Sequence, residues 1–138
     1  SQYSIELWSQ VMQTNLNAPF MMTAAVLDLL KASDHASVVF TTSEVGRKGR
    51  AYWGAYGISN AACENMMQIW ADELEVNTSI RINSLDPGPA RTTMRARAYP
   101  GEDPNSVPLP ADIMGAYLYL MGPESRGVTG QQLSAQKD

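Results

Sequence analysis

Two short apolar runs with a long helical stretch between them restrict what this chain can fold into. Ser37-Val38-Val39-Phe40 and Ile80-Arg81-Ile82-Asn83-Ser84-Leu85 are brief and rich in β-branched residues, as strands are. Between them, residues 54–77 set Ile58, Ala62, Met66, Ile69, Trp70 and Leu74 on one side of a helix. A connection of that length joins parallel strands, because antiparallel neighbours need only a tight turn. Residues 5–31 repeat apolar positions at helical spacing, broken at Pro19. Residues 111–121 read as a short helix begun near Pro110, and Gly127-Val128-Thr129-Gly130 turns into a last strand over 131–135. The order helix–strand–helix–strand–helix–strand predicts an α/β fold around a parallel sheet.

Open parallel sheets hold their ligands beyond the carboxyl ends of the strands. Thr41-Thr42-Ser43 lies at such an end, and Tyr56 opens the following helix thirteen residues after Ser43. A serine hydroxyl and a tyrosine phenol so placed can converge on one substrate oxygen, the first holding it and the second exchanging a proton with it. Pro19 carries no N–H and cannot bond the carbonyl four residues earlier, which belongs to Asn15. Residues 44–53 and 99–110 read as irregular loops, the second carrying Pro100, Pro104, Pro108 and Pro110.

These residues resemble the short-chain dehydrogenase/reductase family, whose active site sets a serine, then a tyrosine about thirteen residues on, then a lysine four after the tyrosine. Ser43 and Tyr56 match, and the lysine position is held by Asn60. Asn15, in Thr14-Asn15-Leu16-Asn17, matches a fourth catalytic residue, an asparagine whose carbonyl holds a relay water. The resemblance implies a Pro-Gly turn beside the nicotinamide, matched by Pro87 and Gly88, and a threonine for the carboxamide or phosphate, matched by Thr92; Asp86 stands where the usual residue is asparagine. It also implies that residues 99–110 cover the substrate.

On this reading residues 1–138 are a single partial NAD(P)-binding domain, the carboxyl-terminal part of a Rossmann-like, doubly wound parallel sheet. The family's glycine-rich loop after a first strand is absent from the sequence, and the residue that chooses NAD or NADP is absent with it. The implied function is hydride transfer between nicotinamide and a small carbonyl or alcohol substrate. The catalytic set is Asn15, Ser43, Tyr56 and Asn60, and Tyr56, Asn60, Pro87, Gly88 and Thr92 face the cofactor. A lysine stacked one turn after the tyrosine favours phenolate, and Asn60 supplies no such charge, though it can hydrogen-bond a ribose hydroxyl or a relay water. Arg47, Lys48 or Arg50 could lend charge. Helices 5–31 and 54–77 correspond to the family's assembly helices, which implies a homodimer or tetramer. A non-catalytic oligomerising module or an inactive fragment is the alternative, given Asn60 and the missing phosphate loop.

The net charge of −4 excludes a phosphate-backbone partner, and the basic run Arg47, Lys48, Arg50 reads as a solvated loop. Cys63 is the one cysteine, so no internal disulfide forms; a reducing, cytoplasmic setting fits, and a small buried filler is its expected role. His35, the one histidine, reads as a surface turn residue, and no metal spacing is present. No apolar stretch is long enough to span a membrane. The start Ser1-Gln2-Tyr3 has neither a methionine nor a signal pattern and reads as the middle of a gene.

Overall fold

The computed structural model describes residues 3–136, so the reading of the chain start at Ser1-Gln2 lies outside the described residues. The first helical stretch is α1 (Ile5–Met12), a π-helical turn (Gln13–Asn17), α2 (Ala18–Ala25) and α3 (Leu27–Lys31). Ser4 caps α1, its hydroxyl accepting from the Leu7 amide at 3.1 Å. The π turn lies just before Pro19: the Ala18 amide reaches back five residues to the Gln13 carbonyl, and Pro19 in the first turn of α2 has no N–H to give.

The sheet holds β1 (Ser37–Thr41), β2 (Arg81–Asp86) and β3 (Gln132–Ser134), all parallel, in the order β1-β2-β3. The register sets Ser37 against Arg81 and Thr41 against Leu85, then Ser84 against Gln132 and Asp86 against Ser134. α5 (Gly54–Glu75) crosses over between β1 and β2, and α7 (Met114–Met121) precedes β3. Side chains alternate across a strand, and both faces are used. Phe40 and Ile82 pack with Met67 and Ala71 of α5, with Leu27 and Leu30 of α3 alongside. On the other face Ser37 Oγ donates to the Leu120 carbonyl of α7 at 2.7 Å, and Thr41 Oγ1 lies 2.9 Å from Tyr117 Oη. Helices on both faces make this a doubly wound sheet, as the element order predicts. The central strand is covered on both sides, so Arg81 through Leu85 are buried without alternation. Each large side chain buried here, such as Met67, Ile82 or Leu120, contributes about 1.5–3 kcal/mol.

The structure departs from the sequence reading in four places. Residues 44–53 are not all loop: α4 (Glu44–Arg47) makes one turn directly after Ser43. A further short helix, α6 (Thr93–Ala98), follows Thr92, whose hydroxyl caps it. Pro110–Ile113 is a 3-10 turn that leads into α7, and Pro104–Ser106 is another within the proline-rich loop. The fully buried residues of α5 are Ala55, Ser59, Asn60, Cys63, Glu64, Met67 and Ala71; of the expected apolar side Met66, Trp70 and Leu74 pack partly buried against the core, while Ile58 and Ile69 are about half exposed, at 49% and 48%.

Candidate functional site

Thr42 extends the ladder of β1 by one bond, its amide donating to the Leu85 carbonyl at 2.9 Å. Ser43 follows in extended backbone as the residue capping α4. Its carbonyl accepts from the Gly46 amide at 2.8 Å, but its hydroxyl makes no capping bond. The half-buried Ser43 side chain therefore stands at the carboxyl end of β1 with its hydroxyl uncommitted to the helix.

α5 presents two adjacent stripes, each with one helical turn between members. One is Tyr56, Asn60 and Glu64; the other is Ser59, Cys63 and Met67. Tyr56 is half-buried and its hydroxyl has no partner among the described residues. Asn60 is buried, and its Nδ2 donates back to the Tyr56 carbonyl at 2.8 Å. The short amide is thus folded onto its own helix, and α4 presses on it at Gly46.

Asn15, in the π turn, is brought to the second stripe. Its Nδ2 donates to Ser59 Oγ at 3.2 Å, and Ser59 Oγ donates in turn to the Tyr56 carbonyl at 3.0 Å. The Asn15 carbonyl, expected to stand open beside Pro19, accepts from Cys63 Sγ at 2.8 Å. Cys63 is buried as expected, but it is more than filler. Burial, then the neighbouring Glu64 charge, raises its thiol above the ordinary cysteine range.

After β2 the chain turns at Pro87 and Gly88. The Gly88 amide donates to Asp86 Oδ1 at 2.8 Å, and Gln136 Nε2 donates to the Pro87 and Pro89 carbonyls at 2.9 and 2.7 Å. Gly88 has φ +69, so the backbone calls for glycine, and the end of the Gln136 side chain lies against it. Thr92 is exposed, and its Oγ1 accepts from the Arg95 amide at 3.1 Å, which leaves its proton to donate.

Glu64, which the sequence reading passed over, ties these parts together. The buried Glu64 carboxylate accepts from Thr42 Oγ1 at 2.6 Å, Arg47 Nε at 3.2 Å and Ser84 Oγ at 2.5 Å. Arg47 reaches on to the Leu133 carbonyl at 2.9 Å and Ser134 Oγ at 3.2 Å. Arg50 Nη2 donates to both carboxylate oxygens of Glu44, at 2.8 and 2.9 Å. The basic run is thus not merely solvated, and two of its three charges have partners of their own. A charged residue among apolar neighbours on α5 was the available signal for Glu64.

An aromatic line joins Tyr56 to the proline-rich loop. Trp53 lies 5.6 Å from Tyr56 and 6.3 Å from Tyr99 between ring centroids, and the Arg95 guanidinium sits 3.6 Å over the Tyr99 ring. Arg95 is bidentate to Glu102 at 2.6 and 2.7 Å, which lowers the Glu102 carboxyl and raises Arg95. A separate cleft lined by Asp34, His35, Arg81 and Arg126 lies at the opposite end of the strands, where exposed His35 meets Arg126. Among the described residues no three His, Cys, Asp or Glu side chains group as metal ligands, and no helix is long and apolar enough to cross a membrane.

The sequence matches the family model described as short chain dehydrogenase over residues 1–103. It is 52% identical to the oxidoreductase YciK of Escherichia coli K12, over 99% of this chain and 53% of that protein. The fold superposes with TM-score 0.94 on a short chain dehydrogenase from Salmonella enterica serovar Typhi, 54% identical, covering 97% of this chain and 55% of that one. A chain from Escherichia coli CFT073 complexed with NADPH gives TM-score 0.94 at 51% identity, covering 99% of this chain and 56% of its own length. The chain thus spans about half the length of the curated relatives it matches.

Proposed function

This chain belongs to the short-chain dehydrogenase family, and from that premise we propose that it is the carboxyl-terminal part of an NAD(P)(H)-dependent oxidoreductase acting on a small carbonyl or alcohol. The observation that carries the proposal is the pair of hydroxyls, Ser43 Oγ making no capping bond at the end of β1 and Tyr56 Oη without a partner among the described residues at the head of α5. NADP(H) is the cofactor of choice, by likeness to the 51%-identical chain complexed with NADPH.

The residues present fit the nicotinamide end of such a cofactor. The Pro87–Gly88 turn would offer its backbone, with the Gln136 side chain lying against it, and Thr92 keeps a hydroxyl proton for an amide or phosphate oxygen. A dihydronicotinamide held there would supply a hydride for the carbonyl carbon. Tyr56 Oη delivers the proton to the carbonyl oxygen, and Ser43 Oγ donates a hydrogen bond to the same oxygen as charge develops on it. In the oxidative direction Tyr56 takes that proton back. Asn60 supports this through the Tyr56 backbone and carries no charge toward the phenol. Carbonyl reduction, which uses the neutral phenol, is therefore the favoured direction.

The test is made on the full-length gene product with NADPH and a panel of small ketones and aldehydes. Tyr56→Phe should cut turnover by at least a hundredfold, within the range of general acid catalysis, and leave NADPH affinity unchanged. Tyr56→Phe with full turnover overturns the reading.

One feature favours a second reading, assembly without catalysis. Ile5, Met21, Met22, Leu29, Ile58 and Ile69 expose large apolar surface along helices 5–31 and 54–77. Assembly through these helices is compatible with the enzymatic role. It stands alone only if Tyr56→Phe and wild type are equally inactive with NADPH, and sedimentation shows a dimer or larger.

A further inference from the structure

We propose that Glu64 is the positioning residue for Ser43, setting the spacing between Ser43 and Tyr56 through one buried carboxylate. The inference rests on the enzymatic reading above. Glu64 is 4% exposed and lies on the same stripe of α5 as Tyr56, two turns further on. A helix is stiff over two turns, so fixing Glu64 fixes the base of Tyr56. The carboxylate in turn grips Thr42 Oγ1 at 2.6 Å, and Thr42 is the residue before Ser43. β1 itself ends at Thr41, so this contact ties the residue between the strand and Ser43 to α5.

The same carboxylate holds the neighbouring parts of the site. Its second oxygen accepts from Ser84 Oγ of β2, the residue in register with Phe40. Arg47, at the end of the one-turn helix that Ser43 caps, bonds the first oxygen and then reaches the Leu133 carbonyl of β3. β1, β2, α4 and α5 thus meet at one carboxylate, with β3 linked through Arg47. Packing alone does not require a charge here: Met67 and Ala71, on the next turns of α5, fill the sheet face with apolar atoms. Removing a charge from water is unfavourable unless directed donors replace the solvent, and here three donors do so. What an ion with three donors supplies, and an apolar side chain does not, is direction: it fixes where Thr42, and hence Ser43, stands along the helix axis.

The test is a double-mutant cycle in the full-length gene product, with NADPH as cofactor. Glu64→Ala should lower kcat about ten- to a hundredfold, the loss that follows a misplacement of about 1 Å, with NADPH affinity unchanged. In a Ser43→Ala background the same change should lower kcat by less than about threefold, because the group it positions is gone. Equal losses in both backgrounds show general loosening of the fold and overturn the proposal. Thr42→Val removes one hydroxyl at nearly constant shape and carries the same cycle if Glu64→Ala does not fold.

Hydrogen exchange supplies a readout independent of turnover. The Thr42 and Gly46 amides, bonded to Leu85 and Ser43, should exchange at least about tenfold faster in Glu64→Ala, while the Leu30 and Thr78 amides keep their rates. Unchanged or uniformly faster exchange overturns the positioning role. Tyr56→Phe run alongside separates the outcomes: if it retains turnover the enzymatic reading fails, and exchange alone then decides whether Glu64 holds Ser43.

Discussion

Gly46 and Asn60 meet so closely that a β-carbon on the glycine would lie 2.7 Å from the Asn60 Cβ and 2.8 Å from its carbonyl carbon. This contact seats α4 on α5 and places the loop that begins at Ser43 against the helix that begins near Tyr56. The atoms in the way include helix backbone, which cannot turn aside as a flexible side chain would.

Gly46→Ala is therefore expected to destabilise the chain by about 1–3 kcal/mol, as overpacking does. Urea denaturation of the isolated chain measures it. Gly49 has nothing among the described residues within 4 Å of its own added β-carbon, so Gly49→Ala is the control and should change stability by less than about 0.5 kcal/mol.

Cys63 makes stability depend on pH at the alkaline end. Burial raises its thiol pKa in the folded chain, and the Glu64 charge adds to this. The folded state thus holds the proton more tightly than the unfolded state. Its contribution is fully present below the unfolded value, about 8.5 for a free thiol, and falls as pH rises through the folded one. Between pH 8 and pH 10.5 the wild-type chain should lose more stability than Cys63→Ala does. Parallel slopes in urea titrations at the two pH values would show that the thiol is not held neutral by the fold.

The proline-rich loop responds at the acid end. Arg95 lowers the Glu102 carboxyl pKa, so this pair contributes above the usual glutamate range and is lost as pH falls through the lowered value. Below about pH 4.5 the Arg95–Tyr99–Trp53 stack should loosen, and Arg95→Ala should loosen it already at pH 7. Limited proteolysis within residues 99–106, and the Trp53 share of fluorescence defined by Trp53→Phe, report it. Equal cleavage of wild type and Arg95→Ala at pH 7 would show that the pair does not hold the loop.

Local pattern carried the strands, the crossover helix and the placing of Ser43 at a strand end, because each is written in neighbouring residues. The buried face of α5 was not legible in the same way. Helical spacing of large apolar residues picked out Met66, Trp70 and Leu74, which pack against the core, but also Ile58 and Ile69, which are about half exposed, and it passed over the buried Ala55, Ser59, Met67 and Ala71. Periodicity marks an apolar side but does not say whether that side meets its own sheet or another surface. The pairing of Glu64 with Arg47 was not legible for a related reason, although the charge of Glu64 among apolar neighbours marked that position. A lone glutamate on a helix and an arginine in a basic run each look like surface, and their contact spans seventeen residues. The Cys63–Asn15 bond spans forty-eight, so the fate of the Asn15 carbonyl depended on a residue far along the chain.

The last prediction concerns Asn60, and it is made for the full-length gene product. Asn60→Lys gives up the bond from Nδ2 to the Tyr56 carbonyl, about 1 kcal/mol. The longer side chain must also leave the crowded contact at Gly46 before its ammonium reaches solvent or cofactor, so a small fall in Tm is expected. Against this it supplies attraction to a developing phenolate, on the order of 3–4 kcal/mol at about 4–5 Å and an effective dielectric near 20 before desolvation. It also supplies a charge-assisted hydrogen bond to a cofactor hydroxyl, roughly 1.5–3 kcal/mol. Desolvation of the ammonium consumes part of both, which leaves a gain of about ten- to a thousandfold in turnover. The gain should be larger for alcohol oxidation, which needs the phenolate, than for carbonyl reduction, and the pH optimum of oxidation should move down. Steady-state rates in both directions across pH 6–10 measure it, with Tyr56→Phe removing activity in either background. An unchanged oxidation rate and pH profile in Asn60→Lys would mean that position 60 does not communicate with the proton on Tyr56.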